Sequence, residues 1–154
     1  MEKVITTDPA ACTGCRLCEL ACSLHLDPTA RPAQARLAVI RLEERGVHVP
    51  EVCRHCAVPP CAVSCPVEAL VRDEDTGAVV LVEEVCIGCR TCVQACPFGV
   101  IGVDPDRGTI IKCDLCGGEP ACVSVCPTGA LAFEAVSRYT GRLRLRRATG
   151  LADA

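Results

Sequence analysis

The spacing of the cysteines constrains this sequence more than any other feature. Sixteen cysteines occur among 154 residues and fall into four groups of four. Two groups have the compact spacing C-x2-C-x2-C-x3-C, namely Cys12, Cys15, Cys18 and Cys22, and then Cys86, Cys89, Cys92 and Cys96. Two groups are stretched between the second and third cysteine, namely Cys53, Cys56, Cys61 and Cys65, and then Cys113, Cys116, Cys122 and Cys126. The fold must therefore be organised around whatever these groups bind.

The remaining composition leaves little for a large hydrocarbon core. Trp is absent, and two Phe and one Tyr supply all the aromatic rings. Chains this poor in bulky side chains usually need disulfide or metal staples. No secretory signal is visible at the start, and no window approaches the roughly 20 apolar residues of a membrane span. We therefore expect a cytoplasmic chain without a direct membrane span, in which metal ligation is favoured over disulfides.

The cysteine spacing favours iron-sulfur clusters over zinc. In the run C-x2-C-x2-C-x3-C-P, three thiolates ligate one [4Fe-4S] cluster and the fourth cysteine ligates the other cluster of a pair. Proline follows the fourth cysteine in three groups, and Ser23 takes its place after Cys22. All-cysteine zinc sites usually present two pairs separated by a longer loop. We predict four [4Fe-4S] clusters, with a zinc-stapled interaction module as the alternative.

Short β-rich segments lie between the cysteine groups. We predict strands at 4–6, 37–42, 47–52, 79–82, 109–112 and 131–133, and turns at 43–46, 75–77 and 106–108. The segments 18–24 and 92–96 are predicted to be single helical turns. Gly14, Gly88 and Gly117 lie inside cysteine groups, where the absence of a side chain permits a close backbone approach to a cluster. The pattern predicts an α+β fold of small units.

A few other residues are candidates for lesser roles. Lys112 and Arg90 adjoin predicted ligands, and their positive charge would raise a cluster potential. His25, His48 and His55 are predicted to be structural or surface residues, because no cluster lacks a ligand. The segment 138–154 carries five arginines and one acid, and we interpret it as a basic tail that docks on a partner or remains solvated. The acidic body and scarce aromatics argue against nucleic-acid binding.

The cysteine motifs resemble those of the four-cluster ferredoxin-type subunits that accompany molybdenum- and tungsten-pterin enzymes, hydrogenases and carbon monoxide dehydrogenases. The resemblance rests on Cys-Thr-Gly-Cys-Arg-Leu-Cys at 12–18, Cys-Arg-His-Cys at 53–56, Cys-Ile-Gly-Cys-Arg-Thr-Cys at 86–92 and Lys-Cys-Asp-Leu-Cys at 112–116. It implies two bacterial-ferredoxin-like two-cluster units, the inner one inserted in the outer one. The outer unit would comprise 1–52, with a connector and hairpin at 27–52, and 104–137. The inner unit would comprise 53–103, and 138–154 would follow as the tail.

The resemblance also implies how the groups share their clusters. Set A would be Cys12, Cys15, Cys18 and Cys126; set B would be Cys22, Cys113, Cys116 and Cys122; set C would be Cys53, Cys56, Cys61 and Cys96; set D would be Cys65, Cys86, Cys89 and Cys92. The sequence itself leaves open the alternative in which neighbouring groups pair, the first with the second and the third with the fourth.

The function implied by the resemblance is that of a non-catalytic electron-transfer subunit. Within the family, the opening motif and short chain are most like the small subunits of tungsten aldehyde ferredoxin oxidoreductases. The catalytic partner would then be a tungsten-pterin subunit, with a flavin subunit or a ferredoxin as the other partner. The alternatives are a subunit of another molybdopterin enzyme, hydrogenase or carbon monoxide dehydrogenase, or a free-standing polyferredoxin. Self-association into a longer wire is a further possibility that two exposed ends would allow.

Overall fold

Short helices and strands alternate along the computed structural model, which describes residues 3–29, 31–148 and 150. The elements are β1 (Lys3–Thr7), α1 (Leu17–Leu26), β2 (Ala38–Leu42), β3 (Val47–Glu51), α2 (Pro60–Val63), β4 (Leu70–Arg72), β5 (Val79–Leu81), α3 (Thr91–Ala95), β6 (Gly102–Val103), β7 (Ile110–Ile111), α4 (Ala121–Ser124), β8 (Leu131–Ala135) and α5 (Val136–Ala148). The fold is a small mixture of helices and strands, as the α+β prediction required.

The strands pair two by two, and every pair is antiparallel. Three pairs, β2 with β3, β4 with β5 and β6 with β7, are local hairpins. The remaining pair joins β1 to β8, with Ile5 opposite Phe133. This long-range pairing holds the segment before the first cysteine group against the segment after the fourth.

All six predicted strands are present, with ends that differ by a few residues, and the three predicted turns connect hairpins. Two further strands, β4 and β6, were missed by the sequence analysis. Each has only three or two residues and follows the fourth cysteine of its group. Segments this short show no measurable alternation of polar and apolar residues, so only their pairing with β5 and β7 identifies them.

The prediction of a single helical turn at 18–24 was wrong, because α1 has ten residues. Its length has a local cause in the residue after Cys22. Proline disfavours the helical conformation of the residue before it, and the short helices α2, α3 and α4 all end before such a cysteine-proline pair. Ser23 lets α1 continue, and its hydroxyl donates to the Leu20 carbonyl at 2.9 Å.

Buried side chains form two separate clusters. The first contains cysteines of the first and fourth groups together with residues of the strands at both ends of the chain; its buried members are Ile5, Cys18, Cys22, Leu37, Val39, Val52, Ala78, Leu115, Cys122 and Leu131. The second contains cysteines of the middle groups; its members are Cys61, Leu70, Val79, Cys92, Ile101 and Ile110. Cysteines therefore supply much of the interior that larger apolar side chains supply elsewhere.

Two buried side chains, Glu19 and Gln34, hold the segment that leads from α1 into the β2–β3 hairpin. The carboxylate of Glu19, on α1, accepts from the Val39 amide at 2.6 Å and from Arg16 at 2.5 Å. The Gln34 side chain donates to Asp104 at 2.8 Å. Both contacts hold the hairpin segment close to the cysteine groups.

The predicted basic tail begins within α5. Arg142 of this helix donates to Glu134 at 2.5 Å, next to the β1–β8 pair. Residues 149 and 151–154 of the predicted tail lie outside the described residues. Within the described ranges, no helix combines the length and the apolar character required to cross a membrane.

Candidate metal centres

Three cavities of the structure are each lined by four cysteines. The first is lined by Cys22, Cys113, Cys116 and Cys122. The second is lined by Cys53, Cys56, Cys61 and Cys96. The third is lined by Cys12, Cys15, Cys18 and Cys126. In every cavity, three cysteines come from one group and one comes from another.

These cavities bring together the residues of sets B, C and A. For set D, Cys92 is buried in the second cluster of side chains and Cys86 packs against that cluster. Cys89 is exposed and Cys65 is half-buried. The use of these sets as cluster ligands stays a prediction.

The donor chemistry of the cavities fits iron-sulfur clusters, since thiolates are their usual ligands and all sixteen cysteines are free of disulfides. Among the described residues, no group of three or more His, Cys, Asp or Glu side chains is arranged to hold a metal ion. A cubane differs from a single ion in this respect, because each of its four thiolates binds a different iron atom.

The loops of the compact groups follow one backbone pattern. Gly14 and Arg16 have φ angles of 72° and 60°, and Gly88 and Arg90 have φ angles of 68° and 64°. Each pair of left-handed residues turns the chain sharply before a helix begins at the next residue, Leu17 or Thr91. The third cysteine of the group then lies in the first helical turn.

The stretched groups reach the same result with proline. Pro60 is the first residue of α2, and Pro120 directly precedes α4. Proline is favoured at such helix starts because its φ angle is already helical. Cys61 and Cys122 therefore occupy the first turn of α2 and α4, as the third cysteine does in the compact groups.

Several hydrogen bonds reach cysteine sulfurs, and most come from residues that the sequence analysis did not single out. The backbone amides of Arg36, Ala69 and Leu115 donate to Cys22, Cys65 and Cys113 at 3.2, 3.3 and 3.5 Å respectively. The Thr91 hydroxyl donates to Cys89 at 3.4 Å and lowers the pKa of that thiol. Hydrogen bonds to cluster sulfurs raise the reduction potential, so these donors would raise the potential of a cluster bound at these cysteines. Thr91 could have been found from its place two residues after Cys89; the amide donors leave no sequence signal.

Burial raises the pKa of three other thiols, whereas the hydrogen bond from Thr91 lowers that of Cys89. Desolvation raises the pKa of Cys18 to about 11 and that of Cys113 to about 12, and it raises the pKa of Cys122 further. The thiolate is the form that binds metal. Iron binding at these positions must therefore release protons that the buried thiols otherwise keep.

His55 and Lys112 lie together at the cavity of set C. His55 is 3% exposed, and burial, reinforced by the charge of Lys112, lowers its pKa to about 3. Its Nδ1 atom accepts from the Val79 amide at 2.9 Å, which places the proton of the neutral ring on Nε2. The prediction of a structural role for this histidine agrees with the contact to Val79.

Comparison with known proteins identifies the family. A model described as a 4Fe-4S dicluster domain matches residues 44–136, and a model of a 4Fe-4S binding domain matches residues 9–25. The chain is 46% identical over 116 residues to the polyferredoxin-like subunit of an aliphatic sulfonate oxidoreductase from Pyrococcus furiosus, with 75% of this chain and 66% of the relative covered. It is 36% identical over 113 residues to a subunit of tetrathionate reductase from Archaeoglobus fulgidus, with 73% and 54% covered.

A solved structure gives a third comparison. A chain of the active-site complex BamBC of benzoyl coenzyme A reductase, in complex with benzoyl-CoA, is 28% identical. The TM-score is 0.52, with 94% of this chain and 89% of the other covered. The chain spans between about half and two thirds of the length of the curated relatives it matches. Because the dicluster model covers more than half of its length, this chain belongs to the 4Fe-4S dicluster family and is an iron-sulfur protein.

Proposed function

We propose that the chain holds four [4Fe-4S] clusters on sets A, B, C and D and transfers electrons as a non-catalytic subunit of an oxidoreductase complex. The observation that carries this proposal is the lining of the three cavities. Each is formed by three cysteines of one group and one of another, the division that a paired-cluster ferredoxin requires. The two separate clusters of buried side chains support a division into an outer and an inner unit.

The clusters would supply one-electron redox chemistry. The exposure of their cysteine ligands would decide where electrons enter and leave the chain. Of the sixteen cysteines, Cys15 and Cys89 are exposed, and the others are buried or half-buried. Cys15 belongs to set A and Cys89 to set D. Leu17 is 44% exposed beside Cys15, and Ile87 is 64% exposed beside Cys89. Clusters ligated by these two exposed cysteines would lie nearest to the surface, so sets A and D are the positions at which redox partners would dock.

The catalytic partner that we propose is a tungsten-pterin aldehyde oxidoreductase subunit, with a flavin subunit or a ferredoxin as the second partner. The named relatives support a place in an oxidoreductase complex, because they are described as subunits of such enzymes. A molybdenum-pterin enzyme is the alternative of the same kind. The surroundings of Cys15 and Cys89 provide one docking position for each of two partners.

Anaerobic affinity purification from the native host tests the partner directly. The tagged chain is expected to retain a larger subunit at fixed stoichiometry, and metal analysis of that complex should find tungsten. Molybdenum in place of tungsten would identify the partner as the alternative, a molybdenum-pterin enzyme. A chain that carries its full iron but retains no partner would instead be a free-standing polyferredoxin, and a colourless zinc-loaded chain would contradict the electron-transfer function altogether.

A further inference from the structure

Lys112 is a buried cation between residues of two ligand sets. It is one of only two lysines in the sequence and is 5% exposed. Its Nζ atom donates to the Cys53 sulfur at 3.4 Å, to the Cys113 carbonyl at 3.3 Å and to the Val79 carbonyl. Cys53 belongs to set C, and the ammonium group reaches its sulfur directly. Cys113 belongs to set B and follows Lys112 in the chain, so the same ammonium group lies against the backbone of a set B residue.

Three acceptors surround Nζ, which is the number that an ammonium group can satisfy. An ammonium group has three N–H donors and no acceptor, whereas a neutral amine has two donors. Three acceptors therefore match the ammonium form. Two of them are backbone carbonyls and the third is a cysteine sulfur, so the full positive charge faces the ligand sets without a carboxylate among these contacts.

Val79 holds this arrangement in place through both of its backbone groups. Its carbonyl accepts from Lys112 and its amide donates to His55 at 2.9 Å. Val79 is 1% exposed and begins β5, so it offers a rigid anchor. The lysine side chain is consequently fixed at the boundary between the outer and inner units.

We propose that Lys112 is a shared potential-setting residue, whose buried ammonium raises the reduction potentials of the clusters on sets B and C together. The inference rests on the proposed function, because it requires clusters on both sets. A [4Fe-4S] core with four thiolates carries about two negative charges when oxidised and gains another on reduction. A buried positive charge stabilises the reduced form more than the oxidised form, and solvent screens it little. Electrons would therefore pass between the two units through a pair of clusters whose reduction potentials are both raised by one residue.

The test is a redox titration of the anaerobically purified, fully loaded chain, monitored by electron paramagnetic resonance. Lys112→Met removes the charge and keeps an unbranched side chain that is one atom shorter. At a fixed applied potential, we expect the ratio of reduced to oxidised cluster to fall at least tenfold for two of the four clusters. For a one-electron couple, this change corresponds to a fall of about 59 mV or more in the reduction potential of each cluster. Lys3→Met is the matched control, because exposed Lys3 contacts Phe133 on the β1–β8 pair, and it should leave all four potentials unchanged.

The outcomes separate this inference from the proposed function. A wild-type chain with fewer than four clusters contradicts the proposed function. Four clusters whose potentials do not change in Lys112→Met, or a change confined to one cluster, overturn the shared role of Lys112 alone. If Lys112→Met loses iron, Lys112→Gln, which keeps an N–H donor, is measured in the same way. Loss of iron in both neutral variants would also overturn the proposal, in favour of a role in assembly.

Discussion

Gly14 and Gly88 occupy equivalent positions in the two compact cysteine groups, yet their surroundings differ. Both have left-handed φ angles, 72° and 68°. A Cβ atom on Gly14 would lie 2.8 Å from ring carbons of His48, whereas a Cβ atom on Gly88 would have no atom within 4 Å. Gly14 is therefore constrained twice, by its backbone conformation and by the histidine ring packed on it.

Substitution by alanine should reveal this difference. Gly88→Ala is expected to destabilise the chain by roughly 1–2 kcal/mol, the cost of the left-handed conformation for a residue with a Cβ atom. Gly14→Ala should cost about 1–3 kcal/mol more, because it also overpacks against His48. The measurement is the temperature at which the loaded protein loses its visible absorbance. Equal effects of the two substitutions would contradict the packing of His48. In a chain that already carries His48→Ala, adding Gly14→Ala should cost no more than Gly88→Ala costs in the wild-type chain.

The left-handed conformation of the glycines in these loops was predictable from the sequence, but that of the non-glycine residues near them was not. Arg16 and Arg90 have φ angles of 60° and 64°, and nothing in an arginine side chain favours that conformation. The bend that places the next cysteine in a helix imposes it. Lys112 is a similar case, since its place next to Cys113 in the sequence gave no sign that its Nζ atom would reach Cys53.

At the scale of elements, α5 packs beside the β1–β8 strand pair. Arg142 donates to Glu134 on β8, and its side chain is 47% exposed. Because the arginine end of this pair is open to solvent, we expect the pair to contribute about 0–1 kcal/mol. The two clusters of buried side chains that contain the cysteines include none of the described residues of α5. Arg138 and Arg144 of this helix are exposed.

Removal of residues 138–154 should therefore leave iron content unchanged and weaken assembly with the catalytic partner. Iron analysis and anaerobic co-purification measure the two effects separately. The matched control is Arg142→Ala, which breaks the ion pair with Glu134 but keeps the helix, and it should retain both iron and partner. Full assembly of the truncated chain would rule out a docking role, and lost iron would show that α5 supports the clusters.

The elements themselves were largely predictable where the residues carried the signal locally. The hairpin of β2 and β3 was evident from two β-rich runs around Glu43–Arg45 and Gly46. The strands β4 and β6 were not, because pairing with a partner strand defines them more than their own residues do. The length of α1 depends on one residue, because Ser23 stands where the other three groups have proline. The sequence analysis noted this serine but did not extend the helix beyond it.

At the scale of the whole molecule, the first strand pairs with the last, and the middle cysteine groups lie between these two strands in sequence. The pairing of β1 with β8 and the mixed lining of the cavities both join the first cysteine group to the fourth. The alternative of neighbouring pairs would join the first group to the second. The sequence motifs supported a three-plus-one division, but they could not choose between these two pairings, because the choice depends on contacts between residues far apart in the sequence.

Iron content of double variants tests the central claim most directly. Cys22→Ala and Cys116→Ala should each abolish one cluster, and the double variant should lose no more iron than either single variant, because both residues belong to set B. Cys22→Ala combined with Cys56→Ala should lose twice as much iron, because Cys56 belongs to set C. The reverse result, with Cys22 additive with Cys116 and not with Cys56, would contradict the nested arrangement and establish pairing of neighbouring groups.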